Sequence, residues 1–269
     1  MRPAHWYGAY LFDLDGTIYL GDALLPTVKE TLERIRERGI PIRFLSNNPT
    51  KSPADYLVKL TGLGVAAEPS DIVNTLVTTT HWLQQHRPGA VVFPIGEKPL
   101  INALKAAGIE ISDDPSRVDI VLASYDRAFC YSKLQVAFDA IWFHKRAVLM
   151  STNPDRYCPF PGGRGEPDAA SIVAAIEAST GVECERTFGK PSRQMLDVII
   201  GDLGVTLASA VMVGDRLTTD IAMGRRAGMD AALVLTGDST RSEIITVPPE
   251  ERPTSVLERL VDLLPENDS

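Results

Sequence analysis

Twice in this chain a short apolar run stops at an aspartate beside a glycine, and each time a helical pattern and another apolar run follow. Ala9 to Phe12 ends in Asp13-Leu14-Asp15-Gly16-Thr17, and Ala210 to Val213 ends in Gly214-Asp215. A brief apolar run stopped by a turn reads as a buried strand. Thr27 to Arg38 carries Val28, Leu32 and Ile35 at helical spacing, with Gly39 as its stop. Ile42 to Leu45 is the next strand, ended by Ser46-Asn47-Asn48-Pro49, and a helix is predicted from Pro53 to Leu60. Late in the chain, helices are predicted over Ser192 to Leu203, with Pro191 suited to the first turn, and over Thr219 to Ala227. Ala232 to Leu235 reads as a strand and Ser255 to Leu264 as a final amphipathic helix. The alternation predicts an α/β fold with a doubly wound, Rossmann-like parallel sheet.

Between these halves, Val91 to Ile95, Val118 to Ala123 and Ala147 to Ser151 read as strands. Lys133 to Phe143 and Ala170 to Ala178 read as helices. A segment with its own core is an inserted domain and not a loop. The expected organisation is a core of residues 1–88 and 186–269 and an inserted α/β domain over 89–185.

Composition excludes several classes. The net charge of −8, with no basic tract, disfavours nucleic acid and anionic membranes. The cysteines, Cys130, Cys158 and Cys184, are odd in number and form no Cys-x-x-Cys pair, so a disulfide framework and a cysteine-rich zinc site are not expected. No secretory leader or membrane-length apolar run is visible, and a cytoplasmic enzyme is expected.

In an open parallel sheet, ligands sit at the carboxyl ends of strands. Polar clusters fall at three predicted strand ends: Asp13/Asp15, Ser46/Asn47/Asn48, and Asp215 with Asp220. Gly189-Lys190-Pro191 lies in a loop just before a helix. Each cluster alone reads as a turn, a capped loop or a wet surface. Together they match the needs of phosphate-ester cleavage. One aspartate can attack phosphorus, and a second can protonate the leaving alkoxide and then activate water. A hard divalent ion takes oxygen ligands, while a lysine and hydroxyl or amide donors hold the transferred oxygens.

With DLDGT (13–17), SNN (46–48), GKP (189–191) and GDRLTTD (214–220) in order, the sequence resembles the haloacid dehalogenase superfamily. It looks most like the branch of p-nitrophenyl, nucleotide, sugar and pyridoxal phosphate phosphatases, whose cap domain lies between the second and third motifs. The likeness runs from about Tyr10 to Thr240 and includes Ile95-Gly96-Glu97 and Thr152-Asn153-Pro154-Asp155. The resemblance implies Mg2+ as cofactor, with Asp13 as nucleophile and ligand. It implies Asp15 as general acid/base, binding metal through its main-chain carbonyl, and Asp215 as the third ligand. Asp220 would support the metal's waters or neighbouring loops. Thr17, Ser46, Asn47, Asn48 and Lys190 would bind or flank the phosphate. On the cap, Arg156, Tyr157 and Cys158 would face the leaving group.

Where relatives often carry glycines, this chain has Glu166-Pro167-Asp168-Ala169-Ala170-Ser171, and Asp168 is expected to cap the next helix. The expected substrate is a small phosphorylated metabolite, such as a sugar phosphate. A nucleoside monophosphate or pyridoxal phosphate is the alternative. Relatives often dimerise through the cap, so a homodimer is an expectation of the resemblance. Three other classes compete: a carbon–halogen hydrolase, which has little need for Asp15 or a metal; a nucleotide-binding protein of another kind, disfavoured because no Gly-x-x-x-x-Gly-Lys-Ser/Thr loop and no Gly-x-Gly-x-x-Gly after a strand is present; and a catalytically silent phosphate-binding protein.

Overall fold

The computed structural model describes residues 3, 5–160 and 163–265. The chain divides into two compact units, one of residues 1–46, 53–73 and 196–269, the other of 47–52 and 74–195.

The first unit is built on a six-stranded sheet. Its strands run in the order Ser255–Leu257, Asp230–Val234, Ala210–Gly214, Ala9–Asp13, Ile42–Ser46 and Ile72–Asn74. Ala9–Asp13 pairs in parallel with both Ala210–Gly214 and Ile42–Ser46. All of Ala9–Asp13 is buried, which is why it reads as an unbroken apolar run with no alternation. Tyr10, Phe12 and Phe44 join Leu32 and Ile35 of the helix Val28–Glu37 in one cluster. Truncating Phe12 to alanine would cost about 3–5 kcal/mol.

The second unit holds a five-stranded sheet in the order Arg186–Thr187, Val148–Ser151, Ile120–Ala123, Val91–Ile95 and Glu110–Ile111, every pairing parallel. The helix Thr75–His86 places Leu76 and Leu83 in one cluster with Val92, Leu100 and Phe188. Compact packing therefore extends past residues 89 and 185 on both sides. Asp168 caps the helix Ala169–Thr180, accepting from the Ala169 N–H at 2.6 Å.

The expected last helix is not there. Ser255–Leu257 is the edge strand beside Asp230–Val234, and only Leu260–Leu263 turns, as a 3-10 segment. Sheet pairing overrides local periodicity at a stretch whose buried Leu257, Leu260 and Val261 fit either reading. The helix expected at Thr219 begins earlier, with a wide π-type turn over Leu217–Ile221, before the short helix Ala222–Arg226. No helix among the described residues is long and apolar enough to cross a membrane.

Candidate active site

In the first sheet the strand order reverses between Ala9–Asp13 and Ala210–Gly214. Such a switch point opens a crevice at the carboxyl ends of the two strands. Asp13 is the last residue of its strand, and Asp215 follows the last residue of the other. Asp220 comes from the π-type turn. One carboxylate oxygen from each of these three aspartates lies within 4.8 Å of the others. Asp215 is 3% exposed and Asp220 is fully buried.

Main-chain amides hold the acids in place. The Asp238 N–H donates to Asp215 Oδ2 at 2.8 Å, and the Arg216 N–H to Asp220 Oδ2 at 3.1 Å. An all-oxygen donor set of carboxylates suits a hard divalent cation such as Mg2+. Asp220, expected behind the metal, has its carboxylate inside this cluster.

The Asp15 carboxylate lies elsewhere. It is exposed and accepts from the Tyr19 hydroxyl at 3.3 Å. Burial, the largest cause, holds the Tyr19 phenol far above its usual range, so Tyr19 stays a donor. The chain reverses here through Gly16, whose φ is +87°, and the Ile18 N–H bonds Leu14 O at 2.9 Å. A Cβ at Gly16 would also lie 2.6 Å from Asp215 Oδ2, so only glycine serves. Thr17 is 1% exposed, and its Oγ1 has no hydrogen-bond partner. It lines a cavity with Leu25, Val28, Thr236 and Leu260.

Sequence reasoning missed a fifth loop, Thr236-Gly237-Asp238-Ser239. Thr236 Oγ1 donates to Gly16 O at 2.6 Å, and the Ser239 N–H donates to Asp215 O at 3.1 Å. The Asp215 carboxylate lies so close to Gly237 that a Cβ there would collide with it. The signal was visible: this loop too follows an apolar strand, Asp230–Val234, with a polar cluster around glycine.

Ser46 ends its strand buried, its Oγ 2.8 Å from the Tyr56 hydroxyl. Asn48 turns back on its own loop, its Oδ1 accepting from the Thr50 N–H at 2.8 Å and the Thr50 hydroxyl at 2.7 Å. In the second unit Asn47 meets Lys190, whose N–H donates to Asn47 Oδ1 at 2.7 Å. Lys190 is 2% exposed, and its bond to Pro191 is cis. Arg156 and Tyr157 are exposed and Cys158 is half-buried. Tyr157–Pro159 pairs antiparallel with Gly165–Pro167 to form a small ribbon.

A family model described as haloacid dehalogenase-like hydrolase matches residues 10–110, and a second, HAD-hydrolase-like, matches residues 187–263. The chain belongs to the haloacid dehalogenase-like hydrolases. Within them it is similar to named phosphatases. It is 34% identical to the sugar-phosphatase AraL of Bacillus subtilis, over 87% of this chain and 85% of that protein. It is 34% identical to the acid sugar phosphatase of Staphylococcus aureus, over 88% of this chain and 90% of that one. Among solved structures, the 4-nitrophenylphosphatase of Thermotoga maritima superposes with a TM-score of 0.88 at 33% identity, covering 96% of each chain.

Proposed function

We propose that this chain hydrolyses small phosphate monoesters, a sugar phosphate or similar metabolite, through an aspartyl phosphate on Asp13. The observation that carries the reading is the trio Asp13, Asp215 and Asp220 within 4.8 Å, at the switch point of a parallel sheet. The sugar phosphatases among its relatives support the substrate class.

Asp13 attacks phosphorus with a carboxylate oxygen, and the ester P–O bond breaks. Asp15 gives its proton to the departing alkoxide. Asp15 then takes a proton from water, which attacks the phosphorus of the aspartyl phosphate and frees Asp13 and inorganic phosphate. The Tyr19 hydroxyl, 3.3 Å from Asp15 Oδ2, steadies the acid/base between these steps. Asp13, Asp215, Asp220 and the main-chain carbonyl of Asp15 would hold Mg2+. When bound, it would offset the charge of the carboxylates and the phosphoryl oxygens. Thr17, Ser46, Asn48 and the Lys190 ammonium would hold those oxygens, with Asn47 beside them. The inserted domain, 89–185 from its sequence pattern, would select the leaving group through Arg156, Tyr157 and Cys158. Free thiols at Cys130, Cys158 and Cys184 suit a cytoplasmic enzyme. A homodimer through the inserted domain belongs to the same reading, and sedimentation of the purified protein tests it.

The function is tested by assaying purified protein on sugar phosphates, nucleoside monophosphates, pyridoxal phosphate and p-nitrophenyl phosphate, with Mg2+ and with chelator. Turnover of sugar phosphates that stops in chelator is expected. Turnover undiminished in chelator, or none on the whole panel, overturns the reading.

A further inference from the structure

Asn47 was expected beside the phosphate, but its carboxamide is already engaged. Nδ2 donates to Lys190 O and to Asp155 Oδ2, each at 3.0 Å, while Oδ1 accepts from the Lys190 N–H at 2.7 Å. A carboxamide has only two N–H donors, and both are used. Its main-chain carbonyl accepts from Thr75 Oγ1 at 3.1 Å. Gly189 completes the fit: a Cβ there would lie 2.7 Å from Asn47 Oδ1 and 3.0 Å from Thr75 Cγ2.

Asp155 is gripped in turn. Asn153 Nδ2 donates to Asp155 Oδ2 and to Asp168 Oδ1, both at 3.1 Å. Asn153 is fully buried and Asp168 is 4% exposed, where it caps the helix Ala169–Thr180. A part-buried polar chain thus runs from a helix N-terminus through Asp155 to the loop of Lys190. Hydrogen-bond networks shielded from water rigidify what they hold.

We infer that Asn47 and Asp155 are positioning residues for Lys190 and not phosphate ligands. Asp155 orients the Asn47 carboxamide, and that carboxamide clamps the Lys190 main chain through both its N–H and its C=O. The direction in which the lysine side chain leaves the loop is set by this clamp. The inference rests on the proposed phosphatase reading, in which the Lys190 ammonium holds the phosphoryl group.

The experiment is steady-state kinetics on p-nitrophenyl phosphate with Mg2+, using Asn47→Ala, Asn47→Asp, Asp155→Asn, Lys190→Ala and their pairs. Asn47→Ala should cost about 10²-fold in kcat/KM, the scale of a misplaced contact group. In the Lys190→Ala background the same change should cost less than about threefold, because its effect runs through the lysine. Asn47→Asp sets two carboxylates face to face; adding Asp155→Asn restores a donor and should recover about tenfold. Should the position 47 variants fail to fold, Asp155→Asn alone decides, with a loss of about tenfold expected. Asn47→Ala within about twofold of wild type, an equal cost with and without Lys190, or Asp155→Asn at wild-type rate overturns the clamp. A wild-type protein inactive on the ester sinks the phosphatase reading instead. The clamp is then decided by calorimetry of inorganic phosphate on the same variants: unchanged affinity in Asn47→Ala overturns it, and weakened binding supports it.

Discussion

The two parallel sheets of this molecule share a plan and differ in what stands at its critical point. Each reverses strand order once: the first between Ala9–Asp13 and Ala210–Gly214, the second between Val91–Ile95 and Ile120–Ala123. Each carries acids just past those strand ends. In the second sheet two of these acids, Glu97 and Asp126, each face a base. Arg127 grips Glu97 through two bonds, at 2.6 and 2.8 Å, and holds its carboxyl below the usual carboxylate range. Lys133 meets Asp126 at 2.5 Å. In the first sheet Asp13, Asp215 and Asp220 gather on one another. The first frame brings three carboxylates within 4.8 Å of one another, and the second sets a basic side chain against each of two acids. The fold offers the crevice, and the side chains at the strand ends decide what chemistry it can do.

Five changes break or sharpen this contrast, from the largest effect down. Asp13→Asn should lower turnover of p-nitrophenyl phosphate by at least about 10³-fold while the melting temperature holds or rises, since a nucleophile and a repelling charge leave together. Chelation should abolish activity, and Mg2+ at about 100 times its Kd should stabilise the wild type by about 2.7 kcal/mol in thermal melts. Asp215→Asn should lose most of that stabilisation. Gly237→Ala should cost about 10²-fold in kcat/KM, because its methyl displaces the Asp215 carboxylate. Arg127→Ala, which breaks the partly exposed pair of the second sheet, should cost less than about 1 kcal/mol and leave kcat within about twofold. If Arg127→Ala damaged turnover as much as Gly237→Ala, the contrast between the sheets would be false.

Much of this was legible from residue order alone. Ala9–Asp13, Ile42–Ser46 and Ala210–Gly214 are buried strands, so their apolar runs stood out, and their polar ends pointed to the candidate site. The helix Thr75–His86 was not visible, because Thr75, Thr78, Thr79 and Thr80 are weak helix formers that dilute its apolar stripe. Two of its threonines bond back to the helix, Thr78 to Asn74 O and Thr80 to Leu76 O. Ser255–Leu257 was misread because an edge strand and a helical turn can share one apolar pattern. The engagement of Asn47 by Asp155, 108 positions away, has no periodic signature at all. Motif types and strand ends can be read along the chain, whereas which carboxamide is already committed depends on contacts made only after folding.

The central claim is that Asp13 carries the phosphoryl group. Asp15→Asn protein, quenched in acid shortly after mixing with p-nitrophenyl phosphate and Mg2+, tests it most directly by peptide mass spectrometry. The nitrophenolate leaves without protonation, so phosphorylation proceeds while hydrolysis, which needs the base, stalls. The account predicts one added phosphoryl group on Asp13, absent from the Asp13→Asn protein. A phosphoryl group on another residue, or a burst of nitrophenol with no modified peptide, would contradict it.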